Sequence, residues 1–370
     1  MKPLKICVYA ICKNEEKFID RWVDSMSEAD HILVLDTGST DQSVAKLKAR
    51  GVEVHQAIID PWRFDVARNK ALNLVPNDMD LCLSSDIDEV LLPGWYENLQ
   101  THWQTDATGA LCRFVCNYNE DGSEGRVFFP LRIHKRHDYI WTHAIHEVLT
   151  YSELGSPKVI TIPNMQFIHY PDGDKPRPYL KLLEAAVLAN PTDSRDHFYL
   201  GREYMYYQHW EKCIHTLEKY LTLPTSTWNE ERSAALRYIA RSYLKQNKKE
   251  EAILNFKHAA NEAPHLREPL TELATFYYFE QAWQQTADLI DRALLITTPS
   301  PSFVNEGHAW DATPYDLGSI AHYHLGHTDL ALVYALKALE LAPNNKRIQD
   351  NITFYQQHII ASYNTNNSSY

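Results

Sequence analysis

The chain has 370 residues, 44% of them hydrophobic and 12% aromatic, enough apolar material for more than one packed core, and two domains are predicted. Lys and Arg number 36 against 48 Asp and Glu, a net charge of −12. That balance argues against a general nucleic-acid or anionic-membrane surface, while leaving a local basic cleft open. No stretch approaches the roughly 18–20 apolar residues that span a bilayer. The segment MKPLKICVYAICKNEE is too short in its apolar part, and too soon acidic, for a signal peptide. The six cysteines (Cys7, Cys12, Cys82, Cys112, Cys116 and Cys213) lie mostly in apolar strand-like runs without metal-ligand pairing. They read as reduced thiols, and the expectation is a soluble cytoplasmic protein.

The first half alternates strands and helices. Residues 5–11 read as a strand, and 15–27 as a helix with Phe18, Ile19, Trp22, Val23 and Met26 on one face. Residues 31–35 (HILVL) form the next strand, followed by a helix over 42–50, a strand over 52–59, a helix over 65–75 and a strand over 80–84. Single helices between strands imply a parallel sheet with crossovers. A further helix starts at Trp95, after Pro93-Gly94, and from 110 to 168 the pattern is strand-rich, as though antiparallel pieces were added to that sheet. PDGDKPRP, residues 171–178, punctuates the chain like a hinge. The predicted domains are therefore 1–175 and 176–370.

Beyond the hinge nearly everything reads as helix with an internal repeat. In 233–264 Ala240, Tyr243, Ala252, Phe256, Ala259 and Pro264 fit the tetratricopeptide pattern, a helix pair of about 34 residues. Gly326, Ala331, Ala338 and Pro343 mark another copy. Looser copies lie at 194–225 (Leu200, Gly201, Tyr204, Leu217) and 267–299 (Leu273, Ala274, Tyr277, Ile290, Ala293). PSPSFVNEGHAWDATP is inserted between the third and fourth, and a last helix over 347–361 would cap the stack. Small residues at these spacings let helices approach closely, and the concave surface of such a stack binds a polypeptide or mediates dimerisation.

The most informative segment is LCLSSDIDEVLL, residues 81–92. On an extended backbone Asp86 and Asp88 point the same way, from the end of a buried strand. Two carboxylates pressed together repel unless a cation sits between them, and hard oxygen ligands select Mg²⁺ or Mn²⁺, which commonly hold a substrate diphosphate too. Short acidic runs are also common in solvated turns. The rest of residues 1–170 separates the two readings.

Three motifs, VYAICKNEEKFIDRWVDS, VLDTGSTDQSV and DVARNKALNLV…DLCLSSDIDEVL, make residues 4–170 resemble glycosyltransferase family 2, with its α/β nucleotide-sugar fold, GT-A. The layout as a whole is similar to bacterial members of that family fused to all-α tetratricopeptide arrays, among them transferases that glycosylate peptides on cysteine.

Taken singly, Ile11, Lys13, Asn14 and Glu15 follow the first strand and line the crevice at the strands' carboxyl ends. Backbone there can meet a base while the side chains reach ribose or phosphate; the competing reading is a helix start capped by Asn14. Gly38 permits a turn. Asp36, at a strand end, can accept from a base N–H, and the resemblance implies that it binds uracil. Arg68 is a partner for the nucleotide or the carboxylates, or else a solvated residue on an amphipathic helix; the family pattern favours the first. Asp86 is assigned to ribose or a metal-bound water, Asp88 to the metal, and Glu89 to supporting the turn. The resemblance further implies a late histidine ligand, for which His169 is preferred over His146, with His134, His137 and His143 as other candidates. Glu147, with His146, is the candidate base that deprotonates the acceptor; the family's commoner pair here is Glu-Asp. Trp141 fills the core or walls the acceptor pocket.

These assignments predict transfer from a nucleotide-diphosphate sugar, UDP-linked, to a peptide or protein, with inversion implied by the resemblance. The alternatives are a glycan, lipid-linked or modified-DNA acceptor, and a non-catalytic tetratricopeptide adaptor. A homodimer through the repeats is also compatible with the array.

Overall fold

The computed structural model describes residues 3–118, 122, 124–171 and 179–367, with side chains as far as 362. Most of the expected hinge, residues 172–178, lies outside them, as do the last three residues of the chain. The chain divides into two compact units, Met1–Pro191 and Thr192–Tyr370. Among the described residues, no helix is long and apolar enough to cross a membrane.

The first unit runs β1 (Ile6–Cys12), α1 (Ile19–Met26), β2 (His31–Asp36), α2 (Ser43–Ala49), β3 (Glu53–Gln56), α3 (Phe64–Leu74), β4 (Leu81–Ser84), β5 (Glu89–Leu91) and α4 (Trp95–His102). It continues with β6 (Gly109–Val115), β7 (Val127–Phe128), β8 (Leu131–Lys135), β9 (Tyr139–Thr142), β10 (Val148–Tyr151), β11 (Val159–His169) and α5 (Tyr179–Ala189). One mixed sheet has the order β3-β2-β1-β4-β8-β6-β11-β5, with β7 on β6, and β9 and β10 form a separate hairpin. β3, β2, β1 and β4 are parallel, as single-helix crossovers require. β8 then joins antiparallel to both β4 and β6. β11 is parallel to β6, a departure from the all-antiparallel addition expected.

β1 and β4 are buried along almost their whole length, as expected of strands covered on both faces, and are apolar but for Ser84 at the end of β4. α1 buries Ile19, Trp22, Val23 and Met26, the stripe read from the sequence, but begins four residues later than expected. Trp22 and Trp95 are among the largest fully buried side chains. All six cysteines are free thiols, and only Cys116 is less than buried.

The second unit is a tetratricopeptide-like array of helix pairs: α6 (Ser194–Tyr206) with α7 (Trp210–Thr222), α8 (Asn229–Lys245) with α9 (Lys249–Glu262), and α10 (Glu268–Phe279) with α11 (Trp283–Leu294). After the insertion, α12 (Thr313–His324) pairs with α13 (Thr328–Leu341), and α14 (Lys346–Asn367) closes the stack. The turn inside every pair uses one left-handed residue: Gln208 (φ 60), Asn247 (φ 59), Gln281 (φ 56) and Gly326 (φ 83). Ala240, Ala252, Phe256 and Ala259 are buried at the α8–α9 contact, and Ala331 and Ala338 on α13.

Among the glycines of the array the approach is closest at Gly201. A Cβ there would lie 2.4 Å from Cγ of Leu217, itself fully buried. Gly201→Ala adds about 1 kcal/mol of helix propensity, but the overpacking costs about 1–3 kcal/mol. The expected result is a net loss of stability and a lower urea midpoint. A raised midpoint would mean that Leu217 is free to move aside.

Candidate active site

The parallel strands β1 and β2 end side by side at Cys12 and Asp36, β4 ends at Ser84 opposite Tyr9 of β1, and the loops that follow them form a crevice edge. The loops after β1 and β2 are laced together. Asn14 N–H donates to Ser39 Oγ (2.9 Å), Thr40 N–H to Asn14 Oδ1 (2.7 Å), Glu15 N–H to Ser43 Oγ (2.8 Å) and Gln42 N–H to Glu16 Oε2 (2.8 Å). This lacing is why α1 starts late: residues 15–18 make a turn bound to the neighbouring loop instead of a first helical turn. Asn14 sits at φ 56, a left-handed conformation that Asn tolerates better than most residues.

Asp36 is 0% exposed. Its Oδ2 accepts from the Gly38 and Ser39 N–H groups at 3.1 and 3.2 Å and from the Gln56 amide at 3.3 Å. Gly38 has φ 106, which favours glycine; a Cβ there would also come within 2.9 Å of the tip of Ile58, an exposed side chain that can move aside. Ile11 is half-buried, and Lys13 is exposed.

β4 ends at Ser84, and residues 85–88 turn instead of staying extended. Glu89 makes that turn: its N–H donates to the Asp86 carbonyl (3.1 Å), while its Oε2 accepts from the Asp86 N–H (2.9 Å) and the Ser85 hydroxyl (3.3 Å). The common direction expected for Asp86 and Asp88 is therefore not seen. Asp86 goes to Arg68 of α3 at 2.7 Å, and Asp88 goes to His169 at 3.3 Å.

Arg68 is the centre of the first group. Only 7% of its side chain is exposed; Nη2 donates to Asp86, Nε donates to Glu147, and the guanidinium lies 4.8 Å from the Trp141 ring. Its Nη1 is buried without a partner. Burial works against ionised Asp86, but Arg68 and Arg132 outweigh it and hold its pKa down at about 2. Asn69 pins α3 to β9, donating to the Trp141 carbonyl (2.7 Å) and accepting its N–H (2.8 Å). Trp141 is buried, with its indole N–H on the Tyr9 hydroxyl (2.8 Å), so it fills the core and also backs the guanidinium. Glu147 arrives from the β9–β10 loop, where His143 and His146 both have positive φ, 72 and 51. Phe64 N–H anchors that loop by donating to the Ala144 carbonyl at 2.9 Å. The His146 ring packs edge-on against Tyr179, 5.7 Å between centroids.

The histidines separate clearly. His134 is fully buried against the Tyr9 hydroxyl (2.9 Å), and burial pushes its pKa down to about 4, so it is a neutral core residue. His137 is exposed. His169 meets Asp88 because β11 pairs antiparallel with β5, putting His169 opposite Glu89. Its Nδ1 faces the Cys116 carbonyl at 3.2 Å, leaving Nε2 for Asp88. Burial works against protonation, but Asp88 and that carbonyl outweigh it and raise the pKa to about 10. Without a metal the imidazole is therefore protonated and ion-paired with Asp88 at neutral pH, and a divalent cation held by the two would have to displace that proton from Nε2.

Arg132 of β8 escaped the sequence reading. Its Nη2 donates to Glu89 at 2.5 Å, it lies 5.3 Å from the Phe114 ring, and its Nε is buried without a partner. A single Arg within VFFPLRIH was the available signal, since a charge inside an apolar strand needs a reason.

Residues 7–159 match the model of Glycosyl transferase family 2. No curated protein matches the chain. Among solved structures, MamA is 18% identical over 45% of this chain and 89% of its own, with a TM-score of 0.36. PilF of Pseudomonas aeruginosa is 16% identical over 48% and 72%, with a TM-score of 0.37. YrrB, described as a TPR protein with an unusual peptide-binding site, is 12% identical over 46% and 80%, with a TM-score of 0.35. Likenesses this distant say nothing of function.

Arg68→Met keeps the apolar stem but leaves Glu147 and Asp86 without their cation. Removing one partner of a buried ion pair costs about 3–5 kcal/mol, and with Asp86 partly solvated the lower end is expected. Arg68→Lys recovers only part of this, because one ammonium cannot replace a forked donor to two carboxylates. Urea unfolding of the three proteins at pH 7 checks the order; a neutral Arg68→Met would sink it.

Proposed function

We propose that the N-terminal unit transfers a glycosyl group from a nucleotide-diphosphate sugar, UDP-linked, to a polypeptide acceptor. The observation that carries this reading is the bridge Asp86–Arg68–Glu147 beside the Asp88–His169 pair, near the carboxyl ends of the parallel strands of the mixed sheet. In this reading the loops bearing Ile11, Lys13, Asn14, Glu15, Asp36 and Gly38 receive the nucleotide, Asp36, itself enclosed, ordering the turn on the base side through Gly38 and Ser39. The unpartnered Nη1 of Arg68 is a donor available to a diphosphate oxygen. Asp88 and His169 would hold Mg²⁺ or Mn²⁺, with Asp86 nearby, and the ion would neutralise charge on the departing diphosphate.

Glu147 is the base in this scheme, taking the acceptor's proton as the acceptor attacks the anomeric carbon, with inversion there; His146 adjoins it. A cysteine thiol gives up its proton more readily than a hydroxyl does, and so asks less of the base. The adaptor alternative requires none of these carboxylates to contact a nucleotide.

Thermal unfolding with UDP, GDP and a panel of their sugars, with and without Mn²⁺, tests the proposal. A ligand at about 100 times its Kd stabilises by about 2.7 kcal/mol, which for a unit of this size raises Tm by roughly 5 °C or more. The expected result is a metal-dependent rise with one UDP-sugar, abolished by Asp88→Ala and by His169→Ala. No rise with any nucleotide would leave the adaptor reading in place of this one.

A further inference from the structure

We infer that the face formed by the first helices of the repeats is a peptide-binding surface, and that residues 300–311 of this chain are its resident, exchangeable occupant. The segment lies in the insertion between α11 and α12, and apart from a single turn at Gly307–Ala309 it is irregular. It touches three first helices in succession. Phe303 packs against Phe198 and Tyr199 of α6 and against Trp228 at the start of α8. Ser300 donates to Glu230 of α8. Glu306 accepts from Arg237 (3.1 Å) and Arg241 (2.6 Å) of α8, both of which also bind Glu272 of α10. The Trp310 ring lies 4.0 Å from the Arg267 guanidinium, and its indole N–H donates to Glu268 at 2.9 Å.

The array also recognises the main chain of the segment. Arg237 donates to the Val304 carbonyl at 3.0 Å, Glu268 accepts the Glu306 N–H at 3.3 Å, and Arg267 donates to the Ala309 carbonyl at 3.3 Å. Side chains that hydrogen-bond backbone while an aromatic slot and a cationic pair choose the residues are the means by which proteins bind extended peptides. Glu272, Glu306 and His308 could together hold a metal ion, but two guanidiniums already balance the two carboxylates, so the cluster is explained without one.

The fit is also incomplete. Arg237 Nε, Glu268 Oε2 and Asn305 Oδ1 are buried without partners, each an unmet cost that a better-matched peptide would remove. The partner this chemistry fits is an extended polypeptide with an aromatic residue three positions before a carboxylate, as Phe303 precedes Glu306. It would bind by displacing the chain's own segment. The inference is independent of the donor reading of the first unit.

The test uses the full chain and a fluorescein-labelled peptide of residues 299–312, followed by fluorescence anisotropy. An occupied surface lowers apparent affinity by the fraction of time it is open, so Phe303→Ala/Glu306→Gln in the protein is expected to tighten peptide binding about tenfold or more. A peptide carrying the same two substitutions is expected to bind neither protein. Equal affinity of the two proteins, or equal binding of the two peptides, would overturn the inference. Should the double variant lack the wild-type circular dichroism, hydrogen exchange of the wild type decides. Amides of 300–311 exchanging about 100-fold faster than those of α8 indicate an occupant that opens locally, and protection equal to that of α8 refutes it.

Discussion

Arg68 is the interaction on which the first unit's functional edge depends. One guanidinium, almost wholly out of water, joins a helix (α3), the turn after a central strand (Asp86) and the loop of a separate hairpin (Glu147). None of these three elements is hydrogen-bonded to the others as a sheet would be, apart from the Asn69–Trp141 and Phe64–Ala144 contacts that hold α3 to the hairpin. A buried cation between two carboxylates is no more stabilising than a well-packed apolar cluster of the same volume. Its effect is to fix where two negative charges sit. The left-handed residues His143 and His146 fit this account, because strained backbone persists where surrounding contacts over-determine it.

A second guanidinium repeats the device one layer away. Arg132 holds Glu89, and Glu89 in turn closes the backbone of Asp86. The geometry of the carboxylate turn is therefore set from β8, whereas its two aspartates are read out by α3 and β11. Asp86 and Asp88 consequently take different partners in spite of their i, i+2 spacing. Glu89 is the residue that bends the chain between strand and function.

Much of this architecture was legible because it follows from period and composition. The apolar runs of β1 and β4 and the stripe on α1 could be read directly, and the alanines of α8–α9 marked the repeats. What could not be read comes from contacts distant in sequence. Arg68 and Glu147 are 79 positions apart, and no local pattern pairs them. His169 was preferred among the late histidines because it ends the strand MQFIHY just before the hinge, but what sets it apart from His134 is the β5–β11 register, and β5 is three residues hidden in an acidic run. The late start of α1 was similarly invisible: its first turn was given up to hydrogen bonds with the loop after β2. In the array, three of the four left-handed turn residues are Gln or Asn, so a search for glycine finds only Gly326. The insertion read as a mere interruption, since the residues it meets, Arg237, Arg241 and Glu272, look like solvated charges on helices.

The placement of the cations changes what the net charge of −12 means. Arg68, Arg132 and Arg237 are withdrawn from the surface, and each keeps one buried nitrogen without a partner. A buried N–H left unmatched has a desolvation cost that only a ligand or a water can recover. In both units the residue that organises the carboxylates around it is thus also the one with unused donor capacity. On the functional reading proposed above, a ligand oxygen admitted beside Arg68 would meet a donor already held in place by Asp86 and Glu147, which limits reorganisation on binding. The net charge thus describes the exposed surface, while these enclosed guanidiniums are matched to carboxylates of their own unit.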